Sequence, residues 1–184
     1  MAIAKQISFE AEPAEKDAEI DKLYAKLNAT DNLEYAVLLA HVLIQEELVD
    51  ILGLRLRTDA LPERMPGFEA LAGLALAGSS FVKERLSLEL LNRARNTIAH
   101  RTDRKTFEKH LSEFSRREWQ VSVHHGKGEF AWPADEQGKV KAFSWGYHHL
   151  WLRLVDLKDR MQAWNHQHAV LSPRLTNTIH FTAS

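Results

Sequence analysis

The sequence contains no cysteine. That absence removes disulfide frameworks, Cys-ligated zinc, iron–sulfur clusters and thiol nucleophiles together. No apolar run approaches the ~18 residues of a membrane span. The opening residues, MAIAKQISFEAEPAEKD, lack the continuous apolar stretch and small-residue cleavage site of a secretory signal. A soluble, cytoplasmic protein without a membrane partner is the expectation. An excess of one charge is missing too. The 24 Lys+Arg against 25 Asp+Glu leave a net charge of -1, which argues against a generally basic nucleic-acid binder.

Several catalytic and ligand-binding motifs are also absent. Ten histidines invite a metal hypothesis, but His124-His125 and His148-His149 are adjacent pairs whose side chains diverge on a helix. His166 and His168 lie near a helix end without a nearby carboxylate. No H-E-x-x-H is present, nor the Glu-x-x-His pairs of carboxylate-bridged bundles. No metal and no cofactor is therefore expected. The Gly-containing stretch GFEALAGLALAG lacks the Lys-Ser/Thr of a phosphate-binding loop, and no nucleophile-elbow serine is found.

What is present fits one soluble domain. A chain of 184 residues with 45% hydrophobic and 27% charged side chains can bury roughly 70% of its unfolded surface. Its charge is uneven. Residues 1–50 carry 11 acidic and 4 basic side chains, a balance of -7, so residues 51–184 carry +6. Between Arg93 and Arg117, 8 Lys/Arg face 3 acids, enough to hold an anion or simply to solvate the outer faces of two helices.

Hydrophobic periodicity points to helices along most of the chain. Residues 1–30 read as an acidic amphipathic arm, with Pro13 near its start and Ile20, Leu23, Tyr24 and Leu27 at helical spacing. Asp31 and Glu34 have the form of a capping box before the apolar run Tyr35–Leu52, with Gly53 as its stop. A loop with Pro62 and Pro66 precedes Phe68–Ala77, where Ala70, Ala72, Gly73, Ala75 and Ala77 would admit a close helix neighbour. Further helices are expected over Val82–His100, Arg104–Trp119 and Ser144–His168. Between the last two, Val121 and Val123 alternate with polar residues ahead of HHGKG, which reads as a small hairpin or ordered loop near 120–142. The expected fold is all-α: a single-domain up-and-down bundle of four to six helices over 31–170, with a tail over 171–184.

The most informative segment is Leu90–Arg101, LLNRARNTIAHR, where polar and basic residues crowd the end of a helix. Arginine offers a permanent charge in a planar fork suited to phosphate, and a histidine near neutral pKa can give or take a proton. On an ideal helix Arg93, Asn96 and His100 share a face, whereas Arg95 and His100 are about 140° apart. A shared phosphate then requires a bent helix or two chains. The alternative is a structural cluster that caps helix ends, with Arg95 paired to Glu46, Glu47 or Asp50.

Arg95-Asn96 followed after three residues by His100 resembles the Arg-polar-x(n)-His motif of HEPN domains. The preceding MPGFEALAGLALAGSSFVKERLSLELLN is similar to the corresponding segment of HEPN-like proteins related to the mannitol operon repressor. The resemblance covers about residues 33–118 and is sharpest at Leu91–Arg101. It implies a homodimer in which two motifs meet in one cleft and RNA is cleaved without metal. Carried over, His100 is the general acid or base, Arg95 stabilises the charge on the phosphate, and Asn96 orients either. Arg93, Arg101, Arg104 and Lys105 are candidate contacts to the RNA backbone. The implied role is an endoribonuclease, a toxin or defence effector with a cognate antitoxin. The alternative is a non-enzymatic scaffold or regulatory protein that binds a protein or nucleic-acid partner through the same cleft, or through a face carrying Trp145, Trp151 and Trp164.

Overall fold

A computed structural model describes residues 22, 25–27, 29–57, 64–77, 81–101, 103–122 and 130–171, with 122 and 169–171 in backbone only. Helices dominate and, among the described residues, no strand forms. The expected Pro62 loop, the Gly78-Ser79-Ser80 break, the HHGKG turn, the tail from 172 and most of the N-terminal arm lie outside the described residues. Of the arm, Leu27 is helical and buried in the core.

Helix α1 spans Leu33–Leu56. Its cap is one residue later than the sequence suggests: Asn32, not Asp31, accepts the Tyr35 N–H at 2.9 Å. An extended backbone at Asn32 (φ -103°, ψ 106°) aims its short side chain at the third helical amide. The helix also runs through Gly53 to a left-handed cap at Arg57. Tertiary contacts hold that extra turn, since the Asn165 amide donates to the Leu54 carbonyl at 2.8 Å and Arg55 donates to the carbonyls of Ala75 and Ala77. Glycine's weak intrinsic preference to stop is overridden.

Helix α2 covers Phe68–Ala75, and Leu76 and Ala77 lie beyond its end. A side chain at Gly73 would meet nothing, so this glycine does not mark the close approach expected of it. The tight contact is at Gly146 instead, where an added Cβ would sit 3.1 Å from the Phe114 ring.

Helices α3 (Val82–Ala99) and α4 (Arg104–Ser122) are joined by a short turn. Asp103 starts α4 by accepting from the Thr106 amide at 2.9 Å and the Thr106 hydroxyl at 2.6 Å, which holds its carboxyl below the usual range. Val121 and Ser122 continue this helix, so the strand reading fails there. Phe130–Asp135 form an ordered loop.

Helix α5 spans Glu136–Leu171 and begins eight residues before the expected Ser144. Asp135 caps it through the Gly138 N–H at 2.7 Å. Residue 138 must lack a side chain, because a Cβ would lie 2.7 Å from Pro133 Cβ and 2.8 Å from the Asp135 carboxylate. Gly138→Ala should therefore lower stability by about 1–3 kcal/mol, despite the ~1 kcal/mol that alanine ordinarily gains over glycine inside a helix. A urea midpoint equal to wild type would show that the loop yields freely.

The bundle packs α5 against α1 and α4, α3 against α1 and α4, and α2 against α1 and α3. Its core joins Ile44, Leu48 and Ile51 of α1, Leu88 and Leu91 of α3, Phe114 of α4, and Phe143, Leu150 and Leu154 of α5. Lys158 bridges α5 to Glu47 (2.8 Å) and Asp50 (3.2 Å) on α1. No helix among the described residues is long and apolar enough to cross a membrane.

Candidate functional site

On α3, Asn92, Arg95 and Asn96 stand at i, i+3 and i+4, so they share one face of the helix. The stripe formed by Leu88, Leu91 and Ala94 is buried in the core, and Asn92, Arg95 and Asn96 flank it at the border between core and cleft. These three residues line an open cleft of about 720 Å³ with His41 and Gln45 from α1 and Pro66–Ala70 from the start of α2. Arg95 and Asn96 are half-buried, and Arg95 donates to Asn96 Oδ1 at 3.2 Å.

His41 is the buried member, 7% exposed. Its ring stacks on Phe68 with centroids 4.1 Å apart and 28° between planes, and Nε2 lies 3.4 Å from Asn92 Oδ1. Burial, and to a lesser degree the nearby Arg95 charge, push the imidazole pKa down, while the Asn92 contact pulls it up. A neutral ring at neutral pH is the consequence.

His100 stands apart from this lining. It forms the C-cap of α3, is exposed, and its backbone N–H still bonds the Asn96 carbonyl at 3.0 Å. It therefore sits one helical turn beyond Asn96, on nearly the same face of α3. Arg95 and Asn96 are thus together in one site, with His100 one turn along the helix and outside its lining.

The expected backbone contacts are dispersed. Arg93 is exposed and paired with Glu89 on its own helix. Arg101, with a left-handed backbone (φ 49°), lines a second recess of about 240 Å³ with Glu34, Thr97, Ile98, Arg104 and Phe107. Arg104 is held by Glu34 (3.3 Å), Glu108 (2.8 Å) and Glu136, so three carboxylates already meet its guanidinium. Its charge is thus already matched by carboxylates of its own chain. Lys105 is exposed at the start of α4.

The pairing of Arg95 with Glu46, Glu47 or Asp50 does not form: Glu47 and Asp50 are engaged by Lys158. Nor do Trp145, Trp151 and Trp164 make one face. At ~100° per residue they point in three directions around α5. Trp145 lies in a ring cluster with Trp119 (5.1 Å) and His149 (4.1 Å), and Trp164 lies under Arg57. Among the described residues no three His, Cys, Asp or Glu side chains come together as a metal-binding group.

Sequence reasoning missed His41, Gln45, Glu69 and the use of Asn92. His41 is hidden in the apolar run of α1. Its one signal is an ionisable ring between Val37 and Ile44, at a spacing that periodicity assigns to the core. Compared with protein-family models, with curated proteins and with solved structures, the chain matches none. The site itself defines a class: an open cleft between helices, lined by one arginine and three side-chain amides beside a buried neutral histidine.

Proposed function

We propose that the chain is a metal-independent endoribonuclease of the HEPN kind, acting in the cytoplasm as a homodimer. One observation carries the reading: Arg95 and Asn96 line one open cleft with His100 a single turn away. That is the residue set the motif resemblance assigns to phosphate and proton transfer. In this scheme the ribose 2′-oxygen forms a bond to phosphorus as the P–O5′ bond breaks. His100 takes the 2′-hydroxyl proton or supplies one to the 5′-oxygen, and Arg95 stabilises the charge that builds on the non-bridging oxygens. The products are a 2′,3′-cyclic phosphate and a 5′-hydroxyl.

A dimer is supported by an apolar stripe on α1. Tyr35 (56% exposed), Leu38 (40%) and Val42 (52%) recur at i, i+3 and i+7, the spacing of a helix–helix seam. The same stripe favours the second reading, a non-enzymatic scaffold that binds a partner such as a cognate antitoxin through this surface. Mixed RNA incubated with the protein in chelator separates the two. Cyclic phosphate ends support the nuclease, and intact RNA at high protein concentration overturns it.

A further inference from the structure

The cleft has two chemically different sides. On the α3 side the amide orientations are constrained. A guanidinium has only donors, so the Asn96 amide that meets Arg95 at 3.2 Å turns its oxygen inward and leaves its NH2 free. The Asn92 oxygen is likewise turned to His41 Nε2, whose ring the Phe68 stack holds in place, which leaves the Asn92 NH2 to the cleft. Arg95, Asn92 and Asn96 thus offer donors and a positive charge, the recognition chemistry of a phosphate oxyanion. On the α2 side stands Glu69, an exposed side chain in the first turn whose carboxylate oxygens are acceptors. Among the described residues neither Arg95 nor Glu69 has an ion-pair partner.

A bare anion is attracted by one side of this cleft and repelled by the other. A ligand that satisfies both carries an anion at one end and hydroxyl donors at the other. A ribonucleotide has that layout, and a volume of about 720 Å³ lies in the ordinary range of small-ligand sites. We propose that the cleft holds one ribonucleotide unit, its phosphate against Arg95, Asn92 and Asn96 and its ribose 2′-hydroxyl donating to Glu69. Glu69 is then the residue that tells RNA from DNA, since the 2′-hydroxyl is the group that differs. The inference rests on the ribonuclease reading for the choice of polymer, while its own claim concerns a single unit.

Calorimetric titration of the full chain with adenosine 5′-monophosphate, its 2′-deoxy counterpart and inorganic phosphate tests it, alongside the RNA cleavage assay. The ribonucleotide should bind about tenfold or more tighter than either of the others, the scale of one hydrogen bond to a charged acceptor. Glu69→Gln, an exposed and isosteric change, should reduce the ribose preference to about twofold or less without weakening the deoxynucleotide. Arg95→Ala should weaken both nucleotides by the same factor. Equal binding of phosphate and ribonucleotide, a ribose preference that survives Glu69→Gln, or no binding of any probe overturns the inference. RNA cleavage without a Glu69-dependent ribose preference leaves the ribonuclease reading standing and removes this one. A Glu69-dependent preference with uncut RNA does the reverse.

Discussion

Arg95→Ala should lower kcat/KM for RNA cleavage by about 10²–10³-fold, the usual consequence of removing one donor aimed at a developing oxyanion. The expectation follows from the setting of this arginine. It is half-buried in the cleft wall and tied only to the neutral Asn96 amide, so no carboxylate among the described residues cancels its charge. A half-buried charge facing an open cleft acts more strongly on a bound phosphate than a solvated one. Arg95→Lys should recover only part of the loss, because a point charge does not reproduce the planar fork. Arg93, exposed and already paired with Glu89, supplies the contrast. Its alanine variant should stay within about threefold of wild type, as for other exposed ion pairs. His100→Ala should cost about 10²–10⁴-fold if its ring moves the proton. Initial rates on a single-stranded RNA substrate, with thermal melts to verify folding, check all four variants. Full activity in a folded Arg95→Ala protein would remove Arg95 from the chemistry.

The helices were legible because periodic burial is a local pattern. Leu88, Leu91 and Ala94 in α3, and Phe107, Leu111 and Phe114 in α4, face the core as their spacing requires. Boundaries were less legible wherever a distant residue decided them. Gly53 looks like a stop, but Asn165, 111 positions from Leu54, secures the turn that follows. The start of α5 depends on Asp135 capping a glycine that sits against Pro133, and nothing in the spacing of Tyr147 and Leu150 reveals it. The site was half visible for the same reason. Arg95 and Asn96 are neighbours in sequence, whereas His41 and Asn92 are 51 residues apart and meet only when α1 packs on α3. Arg104 shows how long-range partners escape a local reading. Its basic neighbourhood suggested an RNA contact, yet Glu34, 70 residues away, and Glu136 converge on it in the fold.

Arg153→Ala should destabilise the fold by about 3–5 kcal/mol, the usual result of stripping one partner from a buried charge. The carboxylate concerned is Glu118, 0% exposed on α4. It receives Arg153 from α5 at 2.7 Å and 3.0 Å and the Ser87 hydroxyl from α3. Arg153 is fixed further by Glu84 at 3.1 Å and the His149 carbonyl at 3.2 Å, so one guanidinium ties three helices together. Without it Glu118 remains in the core with the Ser87 hydroxyl and the more distant Arg117 charge, against a total stability of ~5–15 kcal/mol for an ordinary domain.

The loss should depend on pH, and the sign is fixed. Burial pushes the Glu118 carboxyl above the usual carboxylate range, while Arg153, Ser87 and, least, Arg117 pull it back. A group whose pKa is raised on folding favours the fold most below its unfolded value, and that contribution is lost as pH rises through the folded pKa. Removing Arg153 removes the largest opposing pull, so the folded pKa climbs further and the range of loss widens. The gap between wild type and variant should therefore be widest near about pH 7.5 and narrow as pH falls toward about 4.5, where Glu118 is buried as a neutral acid. Urea midpoints of both proteins across that range measure it. A gap that stays constant would assign the loss to packing rather than charge. The double variant Arg153→Met with Glu118→Gln sharpens the test, because it removes the fully buried carboxylate together with its partner and strands only the less buried Glu84. It should recover most of the lost stability if desolvation of Glu118 is the cause, and it should show no pH-dependent gap from this pair.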